Sequence, residues 1–348
     1  MVKKAASGPS GLIVVDKPAG LTSHDVVSKM RWIAGTRKVG HAGTLDPMAT
    51  GVLVLGVNKA TRLLTYVVGE TKTYTATIRL GVSTLTDDAD GEVTAVAEPQ
   101  VLAAVSEDAI ARQVAAFTGE IMQVPSAVSA IKVGGVRSYA RVRSGEKVEL
   151  EARPVTVHTF EVHDMRPGFA TYLLGESQVG VNVLDLDVTV ACSAGTYIRA
   201  LARDLGAALG TGAHLTALRR TAVGQIGAED AHTLEELVAG REAGTPAPLL
   251  PLEGAARRLF EVRELTACEA TDLANGRPIS PTEGTGAAAR GTKTGSSGGS
   301  NKPTSAGISA AFAPNGTLVA LVENARVRGC MQAAPVLVFE AGTTFKED

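Results

Sequence analysis

Between residues 184 and 192, Leu184, Leu186, Val188, Val190 and Cys192 alternate with Asp185, Asp187, Thr189 and Ala191. A strict period of two sends the apolar set to one side of a strand and the polar set to the other. The segment must therefore have one face in a core and one toward water. The period then changes at once. From Thr196 on, Ile198, Leu201, Ala202, Leu205 and Leu209 form a helical stripe, with Arg199 and Arg203 four apart on another face. The same mixture runs through the first half of the chain. Gly11 to Val15 reads as a strand and Asp16 to Gly20 as a turn. Thr22 and Asp25 then have capping-box spacing ahead of Val26, Val27, Met30, Ile33 and Ala34, a helix that Gly35 should stop. Val52 to Leu55 and Tyr74 to Leu80 read as strands around a helical stretch, Lys59 to Val67. The chain mixes α and β elements freely. Residues Pro167 to Val183 are expected to form a long hairpin or loop.

With 348 residues, 45% of them hydrophobic, the chain can bury a large core, and its length suggests two domains better than one. No run approaches the roughly 18 apolar residues of a membrane span, and Met1 to Lys4 lead into small and polar residues rather than a secretory apolar region. A cytoplasmic protein with no membrane contact is expected. Cys192, Cys268 and Cys330 are far apart and odd in number, which speaks against a disulfide framework or thiolate metal site and for small buried hydrophobes. The net charge of −2 does not advertise a nucleic-acid binder, but its distribution is uneven. Residues 1–66 carry nine Lys and Arg against Asp16, Asp25 and Asp46 alone. A second cationic stretch holds Lys132, Arg137, Arg141, Arg143 and Lys147.

Asp46 is the candidate for chemistry. Pro47 biases it away from the helical region, and Gly40, Gly43 and Gly51 allow the backbone to bend around it, so its carboxylate can be aimed. Asp followed by Pro is also a good helix cap with its first helical residue, and on local pattern alone the cap is favoured.

The wider pattern reverses that order. His41-Ala-Gly-Thr-Leu-Asp46-Pro-Met-Ala-Thr-Gly-Val-Leu follows Val15-Asp16-Lys17-Pro18-Ala-Gly20-Leu-Thr-Ser23-His-Asp. Further blocks are Lys72-Thr-Tyr74, Thr86-Asp87-Asp88-Ala-Asp90-Gly91, Gln123-Val-Pro125-Ser, Gly195-Thr-Tyr197-Ile-Arg199 and His214-Leu-Thr-Ala-Leu218-Arg219-Arg220-Thr. In order and content, over most of residues 11–250, this resembles the bacterial tRNA pseudouridine-55 synthases, enzymes that isomerise a T-loop uridine. The resemblance implies an α+β fold with a mixed, largely antiparallel sheet flanked by helices. It also implies a small C-terminal β-barrel of the RNA-binding type called PUA.

The expected organisation is a flexible N-terminus at 1–10, a catalytic domain at 11–255 and the PUA-like domain at 256–348. Within the last, 283–307 is Gly/Ser/Thr/Ala-rich and expected to be disordered.

The implied reaction breaks the C1′–N1 bond, turns the uracil and joins C5 to C1′, with no redox change, so neither cofactor nor metal is called for. It needs a carboxylate, a pocket for the detached base and extrusion of the nucleotide from its stack. The resemblance assigns the carboxylate to Asp46, base stacking to Tyr74, the partner of Asp46 to Arg199, and the space left by the flipped base to His41. It assigns the pocket wall to Tyr197 and Leu218 and a polar position nearby to Asp88. By pattern alone Tyr74, Tyr197 and Leu218 are core residues, Arg199 a helix-surface cation, and Asp88 part of a turn. Val128 stands where many members of the family carry an aromatic residue. The expected partner is tRNA through its T-arm, with no obligatory protein partner and a monomeric state. Two other classes compete: an RNA-binding protein without chemistry, and a glycoside hydrolase pairing Asp46 with Asp88 or Asp90.

Overall fold

The computed structural model describes residues 8–126, 132–133, 136–137, 150–282 and 305–347. The expectations for 1–7 and for most of the 283–307 segment, the Val128 position and the side chains of the second cationic stretch lie outside the described residues.

A large mixed sheet organises the chain. Its backbone is the order Ala231–Thr233, Gly11–Lys17, Thr50–Val57, Ala213–Val223, Lys72–Leu80, Ser177–Cys192, Arg153–Leu174, Gly119–Gln123. Most pairings along it are antiparallel. Gly11–Lys17 with Ala231–Thr233, and Thr50–Val57 with Ala213–Val223, are parallel. The sheet is thus mixed and largely antiparallel, as the resemblance implied.

Thr50–Val57 is almost wholly buried because both faces of the sheet are covered there. On one face Leu53 and Leu55 join Val26, Met30 and Leu201 from the helices Ser23–Ile33 and Ile198–Ala208. On the other, Val52 and Val54 join Phe260, Phe312, Leu321 and Phe339. The latter belong to or adjoin the C-terminal sheet, Glu261–Glu264, Ile308–Phe312, Leu318–Val327 and Cys330–Val338, in that order. The expected barrel is, among the described residues, an open four-stranded sheet lined by the helix Ala267–Ala274.

The first long helix carries the capping box expected of Thr22 and Asp25, and it ends at Ile33. Gly35 follows with φ of 63°, a left-handed stop that glycine adopts without Cβ penalty. Arg153–Leu174 and Ser177–Cys192 form one long hairpin, so of the two forms expected for Pro167 to Val183 the segment takes the hairpin. Its inner face buries Val181 and Val183 against Val82, while Phe169 and Leu173 are exposed on the outer face. The cysteines correct the sequence reading. Cys192 is buried, but Cys268 and Cys330 are exposed, since neither lies on the apolar side of its element.

Candidate active site

Asp46 does not cap a helix. The carbonyl of Asp46 accepts from Ala49 N–H at 3.1 Å, and the chain then enters the strand Thr50–Val57. The turn is pinned from outside. The Lys17 ammonium, wholly buried, donates to the carbonyls of Pro18, Leu21 and Pro47 at 2.9, 2.7 and 3.1 Å. Ser23 exchanges hydrogen bonds with both backbone groups of Leu45, at 3.1 and 2.9 Å. Burial pushes the Lys17 pKa down to about 8, against the opposing pull of Asp46.

The Asp46 carboxylate lies on a cleft of about 210 Å³. Arg199 Nε–H donates to it at 2.9 Å from the first turn of the helix Ile198–Ala208. That guanidinium is 4% exposed and its side chain is fixed from behind. One nitrogen donates to the Thr86 carbonyl at 2.6 Å and lies 3.4 Å from Asp88 Oδ2. Arg199, taken from its spacing as a surface cation, is buried because the Thr86–Asp88 turn covers it. Burial raises the pKa of Asp88, with the Thr86 hydroxyl and Arg199 opposing.

Tyr74 lines the same cleft and is 7% exposed, paired in register with Val190 on one side and Arg220 on the other. Burial raises its pKa, so it remains a neutral phenol, with Arg220 the main opposing influence. Tyr197 and Leu218 complete the wall. Gln123 clamps Tyr197 by accepting from its N–H at 2.8 Å and donating to its carbonyl at 3.1 Å.

Five of the seven candidate residues therefore converge on the cleft: Asp46, Tyr74, Tyr197, Arg199 and Leu218. Asp88 stands behind Arg199 rather than in the wall. His41, on the strand Val39–Ala42, is not a lining residue; its ring meets that of His24 edge-on at 5.6 Å. Burial lowers its pKa.

Two buried cations were not singled out from the sequence as site residues. Arg220 has no exposed surface, yet it reaches the cleft. It donates to the Val52 carbonyl at 2.8 Å and to the Gly43 carbonyl at 3.0 Å. Gly51, at φ of 97°, allows this approach, because a Cβ there would sit 2.2 Å from the Arg220 carbonyl oxygen. Lys72 also lines the cleft and donates to the carbonyls of Val68 and Glu70 at 3.0 and 2.6 Å. The alternation that places Leu218 in the wall places Arg220 beside it two residues on, and that period was the available signal. Among the described residues no group of three or more His, Cys, Asp or Glu side chains could hold a metal ion.

Residues 31–198 match the TruB family pseudouridylate synthase N-terminal domain, and residues 199–255 match the tRNA pseudouridylate synthase B C-terminal domain. The chain belongs to the TruB family. The tRNA pseudouridine synthase B of Arthrobacter sp. (strain FB24) is 59% identical over 330 residues, covering 95% of this chain and 96% of that protein. The enzyme of the same name from Streptomyces coelicolor is 52% identical over 316 residues, covering 90% and 93%. Among solved structures, a chain of a Cbf5-Nop10-Gar1 complex superposes with a TM-score of 0.64 at 25% identity, covering 97% of this chain and 87% of that one. The match confirms the pseudouridine synthase fold for this member of the TruB family.

Proposed function

We propose that this chain isomerises uridine to pseudouridine in tRNA, at the T-loop position numbered 55, acting as a single protein in the cytoplasm. The observation that carries the reading is the Arg199–Asp46 ion pair set on a cleft whose wall includes Tyr74. The 210 Å³ space suits one flipped base rather than a stretch of RNA. The Tyr74 ring offers a face for the uracil, and Tyr197 and Leu218 close the sides. Arg199 holds and orients the Asp46 carboxylate, while Asp88 and the Thr86 carbonyl hold Arg199. Asp46 assists rupture of the C1′–N1 bond; after the base turns, C5 bonds to C1′ and the proton displaced from C5 is balanced by one gained at N1. Atoms and electrons balance without an external group.

The glycoside-hydrolase alternative loses its second carboxylate. Asp88 faces Arg199 and does not line the cleft, and the exposed Asp90 is engaged through its N–H with Asp88 at 3.2 Å. Residues 256–348 act in this reading as an added RNA-binding unit. The test is nucleoside analysis of a tRNA transcript after incubation with the purified protein and no added cofactor. Pseudouridine at the T-loop position of intact tRNA and of an isolated T-arm, but not in a paired duplex of the same sequence, is the expected result. Equal turnover on all three would overturn the substrate assignment.

A further inference from the structure

The helix Ser23–Ile33 joins the catalytic turn at one end and a different surface at the other. From Val26 to Leu45 the chain has no Asp or Glu but carries Lys29, Arg31, Arg37 and Lys38. All four are exposed, and none forms an ion pair with a carboxylate among the described residues. Elsewhere Arg166 is neutralised by Asp164 and Asp187, Arg257 by Glu264 and Arg277 by Asp272, whereas Arg112, Arg153 and Arg241 are exposed and form no ion pair among the described residues, so it is the grouping of four such cations in one segment that sets this surface apart. Amid the unpaired cations stands Trp32, 51% exposed and the single tryptophan of the chain. Arg31, Trp32 and Arg37 line an open depression of about 660 Å³.

The chain is folded back to make this surface. Gly35 N–H donates to the Trp32 carbonyl at 3.2 Å and Thr36 N–H to the Arg31 carbonyl at 3.1 Å. The Thr36 hydroxyl then donates to Asn58 at 3.0 Å and accepts from Lys38 N–H at 3.2 Å, which ties the returning segment to the sheet. An exposed indole among unneutralised cations fits a polyanion with flat apolar faces. The cations meet phosphates with release of counterions, and the ring receives a base or ribose.

We infer that this surface is a second RNA contact, gripping the tRNA backbone outside the loop held in the cleft. The inference rests on the proposed tRNA substrate. Ser23 is bound to Leu45, next to Asp46, so the two contacts are ends of one rigid element. At 1.5 Å of rise per residue they are roughly 14 Å apart along the helix axis. One RNA can span both.

Because Trp32 is the only tryptophan, its fluorescence reports on this surface alone. The experiment measures acrylamide quenching of the full-length chain with and without saturating tRNA transcript, and pseudouridine formation in the same samples. At least a twofold fall in the quenching constant is expected on binding. An Arg31→Gln/Arg37→Gln double variant should bind tRNA at least tenfold more weakly, with the slope of log affinity against log salt shallower by roughly 1.5. Its turnover at saturating tRNA should match that of the unaltered chain. Unchanged quenching with pseudouridine formed would make the surface an ordinary solvated face and leave the isomerase reading intact. Protection of Trp32 without pseudouridine would uphold the contact and sink the isomerase reading. Equal protection by heparin at matched charge would overturn the assignment to RNA.

Discussion

The strand Lys72–Leu80 runs between two regions that hold charge in opposite ways. At its Lys72 end, buried cations are satisfied largely by backbone carbonyls: Lys17 by Pro18, Leu21 and Pro47, Arg220 by Val52 and Gly43. At its Leu80 end, charge is laid across the wet face of regular strands. Arg79 forks onto both oxygens of Asp185 at 2.7 and 2.6 Å, and Asp187 accepts from Thr77 and from Arg166. The cleft end contains irregular turns whose carbonyls no sheet ladder can reach, so a long cationic side chain supplies the donors. At the outer end the ladders are complete and the ion pairs only lace them. Removing a cation should therefore orphan buried carbonyls in the first region and expose a carboxylate to water in the second.

The largest effect expected from this comparison is at Asp46. Asp46→Asn keeps size and polarity but loses the charge that Arg199 addresses, so it should abolish isomerisation while leaving tRNA affinity largely intact. Pseudouridine formation and a binding isotherm on the same preparation check this; near-normal turnover would remove Asp46 from the chemistry. Next comes Arg220→Met, which fills similar space but leaves the Gly43 and Val52 carbonyls without this donor. It should cost about 2–3 kcal/mol in urea unfolding and most of the turnover. A loss no greater than that of an outer-face pair would erase the contrast between the two ends.

These residues also show what the sequence could reveal. The Asp46 turn was legible only through the wider family pattern, because Pro47 and the permissive glycines around it allow a turn but locally favoured a helix cap, and a strand follows instead. The long helix was legible because its cap, stripe and stop are all local. Val52 to Leu55 was legible as a strand, but its burial on both faces depends on the helices and the C-terminal sheet that the distant chain brings against it. Arg199 was a different case: helical spacing put it on the polar side, and only the distant Thr86–Asp88 turn, folding over that side, makes it buried. Lys17 and Arg220 read as ordinary charges because their partners are backbone carbonyls, which have no signature in side-chain type. Asp88 and His41 came with the family pattern, and the structure sets both outside the cleft wall. The hairpin at Arg153–Cys192 was visible as alternation only from Leu184 on, since its distal half packs on a small neighbouring hairpin instead of the main core.

Tyr74→Ala comes next in size. If the ring stacks on the flipped base, its loss should weaken productive binding by about 1–3 kcal/mol. Single-turnover rates over a range of RNA concentrations check this, and unchanged rate and affinity would reduce Tyr74 to a core residue.

Lys17 sharpens the comparison through pH. Its pKa is lowered from 10.5 to about 8, so between those values the unfolded chain holds a proton that the folded chain has released. This group therefore makes folding more favourable as pH rises through that window. Turnover should move the other way, because a neutral amine has two donors for three carbonyls and holds the Asp46 turn less firmly. Urea midpoints and single-turnover rates from pH 7 to 10 should diverge in the unaltered chain. Parallel trends would show that Lys17 does not govern the turn.

The smallest expected effect lies at the outer end. Arg79→Met removes a fork onto Asp185, whose side chain is 16% exposed and can recover hydration, while the strand pairings Arg79↔Asp185 and Arg79↔His214 retain their backbone bonds. The loss of Coulomb attraction is discounted by that rehydration and by the freedom regained by the side chains. Stability should fall by no more than ~1 kcal/mol. Turnover should not change, because the residue lies several positions along the strand from Tyr74 and touches no wall of the cleft. Urea unfolding in low and high salt separates the contributions: the difference between Arg79→Met and the unaltered chain should shrink as salt screens the pair. A salt-independent loss above 2 kcal/mol would mean that Arg79 is held as Arg220 is, by groups that water cannot reach, and the two ends of the strand would no longer differ in kind.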